Sequence, residues 1–82
     1  MTAVRYWAGA RAAAGTEQDD VSVPTLADAL ELLGAKHGER LARIFEVCSF
    51  VVDGNPVGRR PSADVRLDGA ELVDVLPPFA GG

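Results

Sequence analysis

The residues best suited to chemistry are the last six of the chain, Pro77-Pro78-Phe79-Ala80-Gly81-Gly82. Gly81 and Gly82 have no side chains, so this end can thread a narrow channel into another enzyme's active site, with the residues from Pro77 to Gly81 lining the path. A carboxylate on Gly82 is unhindered for attack on the α-phosphate of ATP, and a sulfur nucleophile can attack the acyl-adenylate that results. We therefore expect Gly82 to be the reacting residue. ATP would bind an activating partner, and this chain would bind no cofactor.

The two prolines form a stem for this end of the chain. Pro77 and Pro78 cannot donate backbone hydrogen bonds and they hold the chain extended, so a preceding strand must stop before them. Two final glycines arise by chance in roughly one chain in 200, and a frayed end without a role is the alternative. The stem favours function, and it divides the chain into a folded domain of residues 1–76 and a tail of residues 77–82.

Three side chains are candidates for binding a partner. Trp7 alternates away from the apolar face of its predicted strand and Phe79 lies beyond the sheet, so both are candidates for exposed binding anchors. For Trp7 the alternative is that the side chain packs under a loop. Phe50 is expected in the core. Arg11 and the pair Arg59-Arg60 could contact acidic groups of a partner, although solvated arginines are the simpler interpretation. Of these arginines, Arg11 is kept as a partner-binding candidate.

The remaining reactive side chains form no catalytic set. Cys48 lies among apolar residues of a predicted strand, and no sequence neighbour would lower its pKa, so a buried and inert thiol is expected. A single cysteine excludes a disulfide within the chain and a cysteine-based metal site. His37 is the one histidine, stands near a helix end and is expected to be solvated. We expect neither a metal site nor an enzyme that acts alone.

Composition sets limits on the class of protein. The chain has 82 residues, 48% of them hydrophobic and 24% charged, which suits one soluble domain with a modest core. Its net charge is −4 and its isoelectric point about 4.7, with no basic stripe, so nucleic acid is not an expected partner. The sequence lacks a signal-peptide pattern and an apolar run long enough for a membrane span. We expect a cytoplasmic protein that does not bind membranes.

One amphipathic helix dominates the predicted secondary structure. Thr25 is a suitable N-cap, and the residues that follow it form an apolar stripe at helical spacing, namely Leu26, Ala29, Leu30 and Leu33. Gly34 or Gly38 ends this helix, and residues 39–45 add a further helical turn. Alternating or β-branched patterns predict strands at residues 3–8, 18–23, 47–52 and 72–76.

The connections complete the predicted topology. Residues 9–15 form a turn or a short helical piece, and residues 55–63 a loop or weak edge strand. Asp53-Gly54 and Asp68-Gly69 are turn signals, and Asp19-Asp20 marks a solvated edge. The order β, β, α, β, short β, β predicts an α+β roll of the β-grasp type, with a mixed sheet of four to five strands packed on one main helix.

The chain resembles the MoaD family, the small subunits of molybdopterin synthase, which belong to the ubiquitin-like MoaD/ThiS sulfur carriers. The C-terminal motif after the last strand carries the resemblance. The other matching segments are Tyr6-Trp7-Ala8 with Arg11 and Gly15, Val52-Asp53-Gly54, and Asp68-Gly69. The similarity spans the whole chain, although only the C-terminal motif is diagnostic.

The resemblance implies a mechanism and a set of partners. A ubiquitin-activating-like adenylyltransferase (MoeB-like) would adenylate Gly82 with ATP, and a sulfur donor protein would supply the sulfur of a thiocarboxylate. The large synthase subunit (MoaE-like) would receive the tail and use its sulfur to build the dithiolene of molybdopterin. The acid–base and substrate-binding groups would then belong to the partners.

Three alternatives remain open at this stage. A thiocarboxylate carrier for thiamine thiazole or cysteine synthesis would keep the chemistry and change the pathway. A protein modifier would join Gly82 to lysines of its targets. A passive binding module would leave the tail unmodified.

Overall fold

A computed structural model describes residues 1–78 of the chain. The elements in chain order are β1 (Thr2–Tyr6), α1 (Ala8–Ala14), β2 (Gln18–Val21), α2 (Leu26–His37), α3 (Glu39–Phe45), β3 (Ser49–Val52), β4 (Asn55–Pro56), a 3₁₀ helix (Ser62–Asp64) and β5 (Leu72–Leu76). The prediction of an α+β chain is confirmed.

The strands form a mixed five-stranded sheet in the order β2-β1-β5-β3-β4. The first and last strands lie side by side and parallel at the centre, where Tyr6 pairs with Val75. The other neighbouring strands are antiparallel. A parallel central pair with an antiparallel neighbour on each side, and a helix on one face, is the predicted β-grasp arrangement.

Helix α2 begins and ends where local chemistry requires. The Thr25 hydroxyl accepts a hydrogen bond from the Asp28 backbone N–H at 3.2 Å, as an N-cap should. The helix runs past Gly34 and ends at Gly38, whose φ of 108° favours glycine. Gly34 instead allows a close approach, since a Cβ there would lie 3.2 Å from the Cβ of Ala42 on α3.

The core lies between one face of the sheet and α2. The predicted helix stripe is confirmed, since Leu26, Ala29 and Leu33 are buried and Leu30 packs against them half-buried. The central strands supply alternate residues to the same cluster, namely Val4, Tyr6, Val73 and Val75. Each large apolar side chain buried in this way stabilises the fold by about 1.5–3 kcal/mol.

The structure corrects some predicted strand boundaries. Strand β1 stops at Tyr6, and Ala8 is the first residue of α1 with a positive φ of 47°. Strand β3 begins at Ser49, so Val47 and Cys48 precede it, and Val47 is exposed in a turn. β-Branched composition alone does not separate a strand from the turn that leads into it, because burial by the rest of the fold decides the boundary.

The turn between β3 and β4 is confirmed and has a second role. Asp53 and Gly54 both have positive φ, 48° and 82°, which suits a tight hairpin turn. The Asp53 carboxylate accepts hydrogen bonds from the backbone N–H groups of Glu71 and Leu72 at 3.0 and 2.9 Å. The turn therefore fixes the start of β5, the strand that leads to the stem.

Candidate functional site

An apolar cleft lies at the end of the sheet where β1 and β5 stop side by side. It has a volume of about 690 Å³ and is lined by Trp7, Ala8, Gly9, Val47, Ser49, Leu76, Pro77 and Pro78. Among residues 1–78 the exposed large hydrophobic side chains are Met1, Trp7, Leu32, Val47 and Leu76, and three of these line the cleft. Apolar surface concentrated in this way is typical of a binding site. The cleft therefore lies at the base of the predicted tail.

Trp7 forms one wall of the cleft and is held on several sides. Its backbone N–H donates to the carbonyl of Val75 at 3.2 Å, which continues the β1–β5 pairing by one residue. Its indole N–H donates to Asp74 Oδ1 at 2.9 Å. The guanidinium carbons of Arg5 and Arg11 lie 5.0 and 5.7 Å from the ring centroid, within the range of cation–π attraction. Trp7 is thus exposed, as expected, but fixed in position.

Asp74 connects Trp7 to the strand that carries the stem. Arg5 and Asp74 are register partners on β1 and β5, and Arg5 Nε donates to Asp74 Oδ1 at 2.8 Å. Partial burial acts to raise the pKa of Asp74, but the hydrogen bonds from Arg5 and Trp7 and the charge of Arg5 together hold that pKa below its ordinary value. Asp74 is therefore a carboxylate at neutral pH, and it accepts from both neighbours.

Arg11 and Arg59-Arg60 occupy different surroundings. Arg11 is half-exposed beside Trp7, donates to the carbonyl of Tyr6 at 3.4 Å and lies 3.8 Å from Glu17. Arg60 donates to the carbonyl of Val57, in the loop after β4. The structure thus brings Trp7, Pro77 and Pro78 together at the cleft, with Arg11 beside the Trp7 ring, and it places Arg59-Arg60 elsewhere. Their roles in partner binding or tail threading stay predictions.

A polar cluster around Asp19 was missed in the sequence. Asp19 Oδ2 accepts from the Tyr6 hydroxyl at 2.9 Å and lies 2.6 Å from His37 Nε2, while Lys36 Nζ donates to Asp19 Oδ1 at 2.7 Å. The expectation of a solvated Asp19 was wrong, because its side chain is 9% exposed, and a solvated His37 was wrong too, at 13%. Asp19 and Val21 are two residues apart on β2, so strand alternation places both side chains on the inward face. The sequence therefore did contain a signal for the position of Asp19.

The cluster shifts two pKa values in opposite directions. Burial and the carboxylate of Asp19 raise the pKa of Tyr6 far above its usual range. Burial also acts to raise the pKa of Asp19, but hydrogen bonds from Lys36, His37 and Tyr6 outweigh it and lower that pKa. At neutral pH, Asp19 is therefore a carboxylate and Tyr6 a neutral phenol that donates to it.

Cys48 and Phe50 lie on the opposite side of the sheet end. Cys48 is half-buried just before β3, where burial raises the pKa of its thiol to about 11. Phe50 is half-buried rather than fully in the core, and its ring centroid lies 6.2 Å from that of Phe45. A thiol with so high a pKa is a poor nucleophile at neutral pH, in agreement with the inert cysteine that was expected.

The tail residues Phe79, Ala80, Gly81 and Gly82 lie outside the described residues, so their roles stay predictions. Within residues 1–78, no cluster of three or more His, Cys, Asp or Glu side chains has the arrangement of a metal site. In the same range, no helix has the length and apolar character that crossing a membrane requires.

Comparison with known proteins gives agreement in sequence and in fold. The model of the ThiS family matches residues 4–82. The molybdopterin synthase sulfur carrier subunit of Mycosarcoma maydis is 31% identical over 84 aligned residues, which cover 96% of this chain and 90% of that protein.

Two solved structures share the ubiquitin-like β-grasp fold. Small archaeal modifier protein 1 of Methanosarcina acetivorans superposes with a TM-score of 0.81 at 24% identity, over 99% of this chain and 95% of that chain. The same-named protein of Haloferax volcanii gives a TM-score of 0.72 at 22% identity, over 99% and 98%. At these identities the two structures establish the fold alone.

Proposed function

Because the chain belongs to the ThiS family, we propose that it is the sulfur-carrying small subunit of a molybdopterin synthase, with Gly82 bearing the sulfur as a thiocarboxylate. The resemblance to the MoaD/ThiS carriers is confirmed. The chain is a sulfur carrier or ubiquitin-like modifier of the MoaD/ThiS type. The choice of molybdopterin rests on the similarity to the molybdopterin synthase sulfur carrier subunit of Mycosarcoma maydis.

The observation that carries the proposal is the position of the apolar cleft. Its walls include Pro77 and Pro78, the last described residues, and Leu76, the last residue of β5. A partner that docks in this cleft would bind beside the stem, Pro77 and Pro78, and residues 79–82 of the tail would then follow within reach of the partner's own site. The family match supports this assignment, because it extends to residue 82 and includes the whole tail.

The proposed chemistry begins at the terminal carboxylate. A carboxylate oxygen of Gly82 attacks the α-phosphorus of ATP, a P–O bond breaks and pyrophosphate leaves. The outer sulfur of a persulfide on a donor protein then attacks the carbonyl carbon, and the C–O bond to AMP breaks, which leaves an acyl disulfide. Two equivalents of a thiol reductant cleave its S–S bond and are oxidised to a disulfide, which leaves a thiocarboxylate on Gly82 and a cysteine on the donor. The large synthase subunit transfers the thiocarboxylate sulfur to the molybdopterin precursor.

This chain and its partners are proposed to have separate roles. Its described surface offers a docking cleft with Arg5 and Arg11 beside Trp7, while the adenylating and sulfur-transferring groups belong to the partners. An apolar cleft of this kind suits a partner that presents an apolar side chain. The protein is therefore proposed to be a non-catalytic subunit that supplies the sulfur and the binding surface.

The test is the intact mass of the protein after incubation with an activating enzyme of the MoeB type, ATP and a sulfur source. We expect the shift for one oxygen replaced by sulfur, located at Gly82 by fragmentation and lost when Gly82 is deleted. The product should then convert the molybdopterin precursor when the large subunit is added.

Other outcomes separate the alternatives. A thiocarboxylate that forms but does not convert the precursor would assign the chain to a thiazole or cysteine pathway. Covalent adducts to lysines of other proteins, absent from the Gly82 deletion, would identify a modifier. An unchanged mass, while a known carrier is converted in the same mixture, would refute the carrier chemistry altogether.

A further inference from the structure

The chain contains very few side chains that could react with an activated carboxyl terminus. It has one lysine, one histidine, one cysteine and one tyrosine, namely Lys36, His37, Cys48 and Tyr6, and the other seven of its eight Lys and Arg residues are arginine. A guanidinium stays protonated at neutral pH and does not attack acyl groups, whereas an amine, an imidazole, a thiolate and a phenolate do. The composition therefore leaves four strong side-chain nucleophiles to consider.

Three of the four converge on one carboxylate. Lys36 Nζ lies 2.7 Å from Asp19 Oδ1, while His37 Nε2 and the Tyr6 hydroxyl lie 2.6 and 2.9 Å from Asp19 Oδ2. Lys36 Nζ donates to this carboxylate, and a donating ammonium has no lone pair for attack. The hydrogen bonds engage His37 Nε2 and the Tyr6 hydroxyl, and His37, whose side chain is 13% exposed, also packs edge-on against the Tyr6 ring.

The fourth nucleophile is restrained by burial. Cys48 is half-buried, and desolvation raises the pKa of its thiol to about 11, so the thiolate is scarce at neutral pH. Serine and threonine hydroxyls are weak nucleophiles without an adjacent base. All four strong nucleophiles are thus held, three of them by the same residue.

We propose that Asp19 keeps this chain inert toward its own activated Gly82 by holding Lys36, His37 and Tyr6. This inference rests on the proposed function, because activation of Gly82 creates the hazard. The reaction that is prevented is attack by a neutral Lys36 amine on the Gly82 carbonyl carbon. A C–N bond would form, the C–O bond to AMP would break, AMP would leave and the amine would lose a proton to solvent, giving a dead internal amide.

The cluster lies near enough to the tail for internal amide formation to be possible. Tyr6 is the last residue of β1 and pairs with Val75 near the end of β5, so the cluster lies at the end of the sheet from which the stem leaves. Six residues beyond β5 span up to about 20 Å. A nucleophile joined to the acyl group by so short a segment acts at an effective concentration on the order of millimolar, which competes with a sulfur donor.

The experiment uses the full chain with a chemically made thioester at Gly82, prepared by intein cleavage with a small thiol, so that no activating enzyme is required. The reaction is run at high dilution, so that amides between two chains do not form. Intact mass separates amide formation, which loses the small thiol, from hydrolysis, which replaces the thiol with water. Peptide mass spectrometry then locates the amide. Wild type and Lys36→Arg should form amide equally slowly. Asp19→Asn should form it at Lys36 about threefold faster, the change expected when an ion pair with a largely exposed lysine is removed.

A second variant keeps the test independent of the stability of Asp19→Asn. Glu17 stands beside the cluster, since its carbonyl accepts from the Tyr6 N–H at 2.9 Å, but its side chain is 80% exposed. In a Lys36→Arg background, Glu17→Lys places an amine at this end of the sheet without Asp19 to hold it. We expect rapid amide formation at position 17, and any reaction of the α-amine is a background common to all variants.

Two results would overturn the proposal. Wild type could form the Lys36 amide as fast as Asp19→Asn does, which would mean that Asp19 holds nothing back. Alternatively, Glu17→Lys could stay unreactive, which would mean that the activated end does not reach this side of the sheet. Neither result bears on whether an activating enzyme charges Gly82, so failure here is distinguishable from failure of the proposed function.

Discussion

Replacing Trp7 with alanine should weaken binding of the large synthase subunit. Trp7 is 38% exposed and forms a wall of the apolar cleft. For a side chain of this size the exposed part amounts to about 90 Å². At about 25 cal/mol per Å², covering that area on binding is worth about 2 kcal/mol. The dissociation constant should therefore rise by about 30-fold.

The same substitution should also destabilise the fold, because most of the Trp7 ring is covered by its own chain. At about 25 cal/mol per Å², the roughly 150 Å² of covered surface is worth about 4 kcal/mol, and the hydrogen bond to Asp74 is lost as well. The affinity is therefore measured under conditions where circular dichroism and urea denaturation show the variant to be folded, so that a change in affinity reports on the cleft.

Isothermal titration calorimetry with the large subunit makes the measurement, and Leu32→Ala is the matched control. Leu32 is an exposed leucine on α2, is 49% accessible and takes no part in lining the cleft. Its replacement should change the dissociation constant by less than about twofold. An unchanged affinity for Trp7→Ala, or an equal loss for Leu32→Ala, would refute the assignment of the cleft as the docking site.

Three further outcomes test other parts of the structure. Leu33 is fully buried on α2, so Leu33→Ala should lower the free energy of unfolding by about 3 kcal/mol in urea titrations, and a loss below 1 kcal/mol would contradict its place in the core. The pKa values of Asp19 and Asp74 are lowered in the folded state, so their contribution to stability is present above the unfolded carboxyl value near 4 and is lost as pH falls. Thermal unfolding from pH 6 to pH 2 should therefore show a falling midpoint, less steep in the double variant Asp19→Asn, Asp74→Asn. Because burial raises the pKa of the Cys48 thiol to about 11, its alkylation should be much slower than that of a free thiol at pH 7.5, and the rate should increase up to about pH 11. A rate equal to that of glutathione would contradict the burial of Cys48.

The sequence predicted the fold through features that are local. The apolar stripe from Leu26 to Leu33 sets the packing face of α2, and alternation in residues 72–76 sets the inward face of β5. The choice between Gly34 and Gly38 as the helix end could not be made in advance. It depends on α3, whose Ala42 packs against Gly34 from outside the helix.

The site was predicted in part, and the missing part consists of contacts between distant residues. Trp7 was expected to be exposed, and it is, but its bond to Asp74 joins residues that are 67 positions apart. The Asp19 cluster joins β1, β2 and the end of α2, and the adjacent acid Asp20 suggested a solvated edge. Charged residues are usually exposed, and this expectation outweighed the alternation that places Asp19 on the same face of β2 as Val21.

Partner docking and restraint of the internal nucleophiles are assigned to neighbouring residues, Trp7 and Tyr6, at the end of β1. Tyr6 turns inward and donates to Asp19, whereas Trp7 lies outside and lines the cleft beside the stem. Their functions should therefore separate in a crossed experiment. Trp7→Ala should lower affinity for the large subunit and leave internal amide formation at the Gly82 thioester unchanged. Asp19→Asn should speed internal amide formation and leave the affinity for the large subunit unchanged. If either variant changed both quantities by similar factors, the end of β1 would act as one unit, and the separation of docking from self-protection would be wrong.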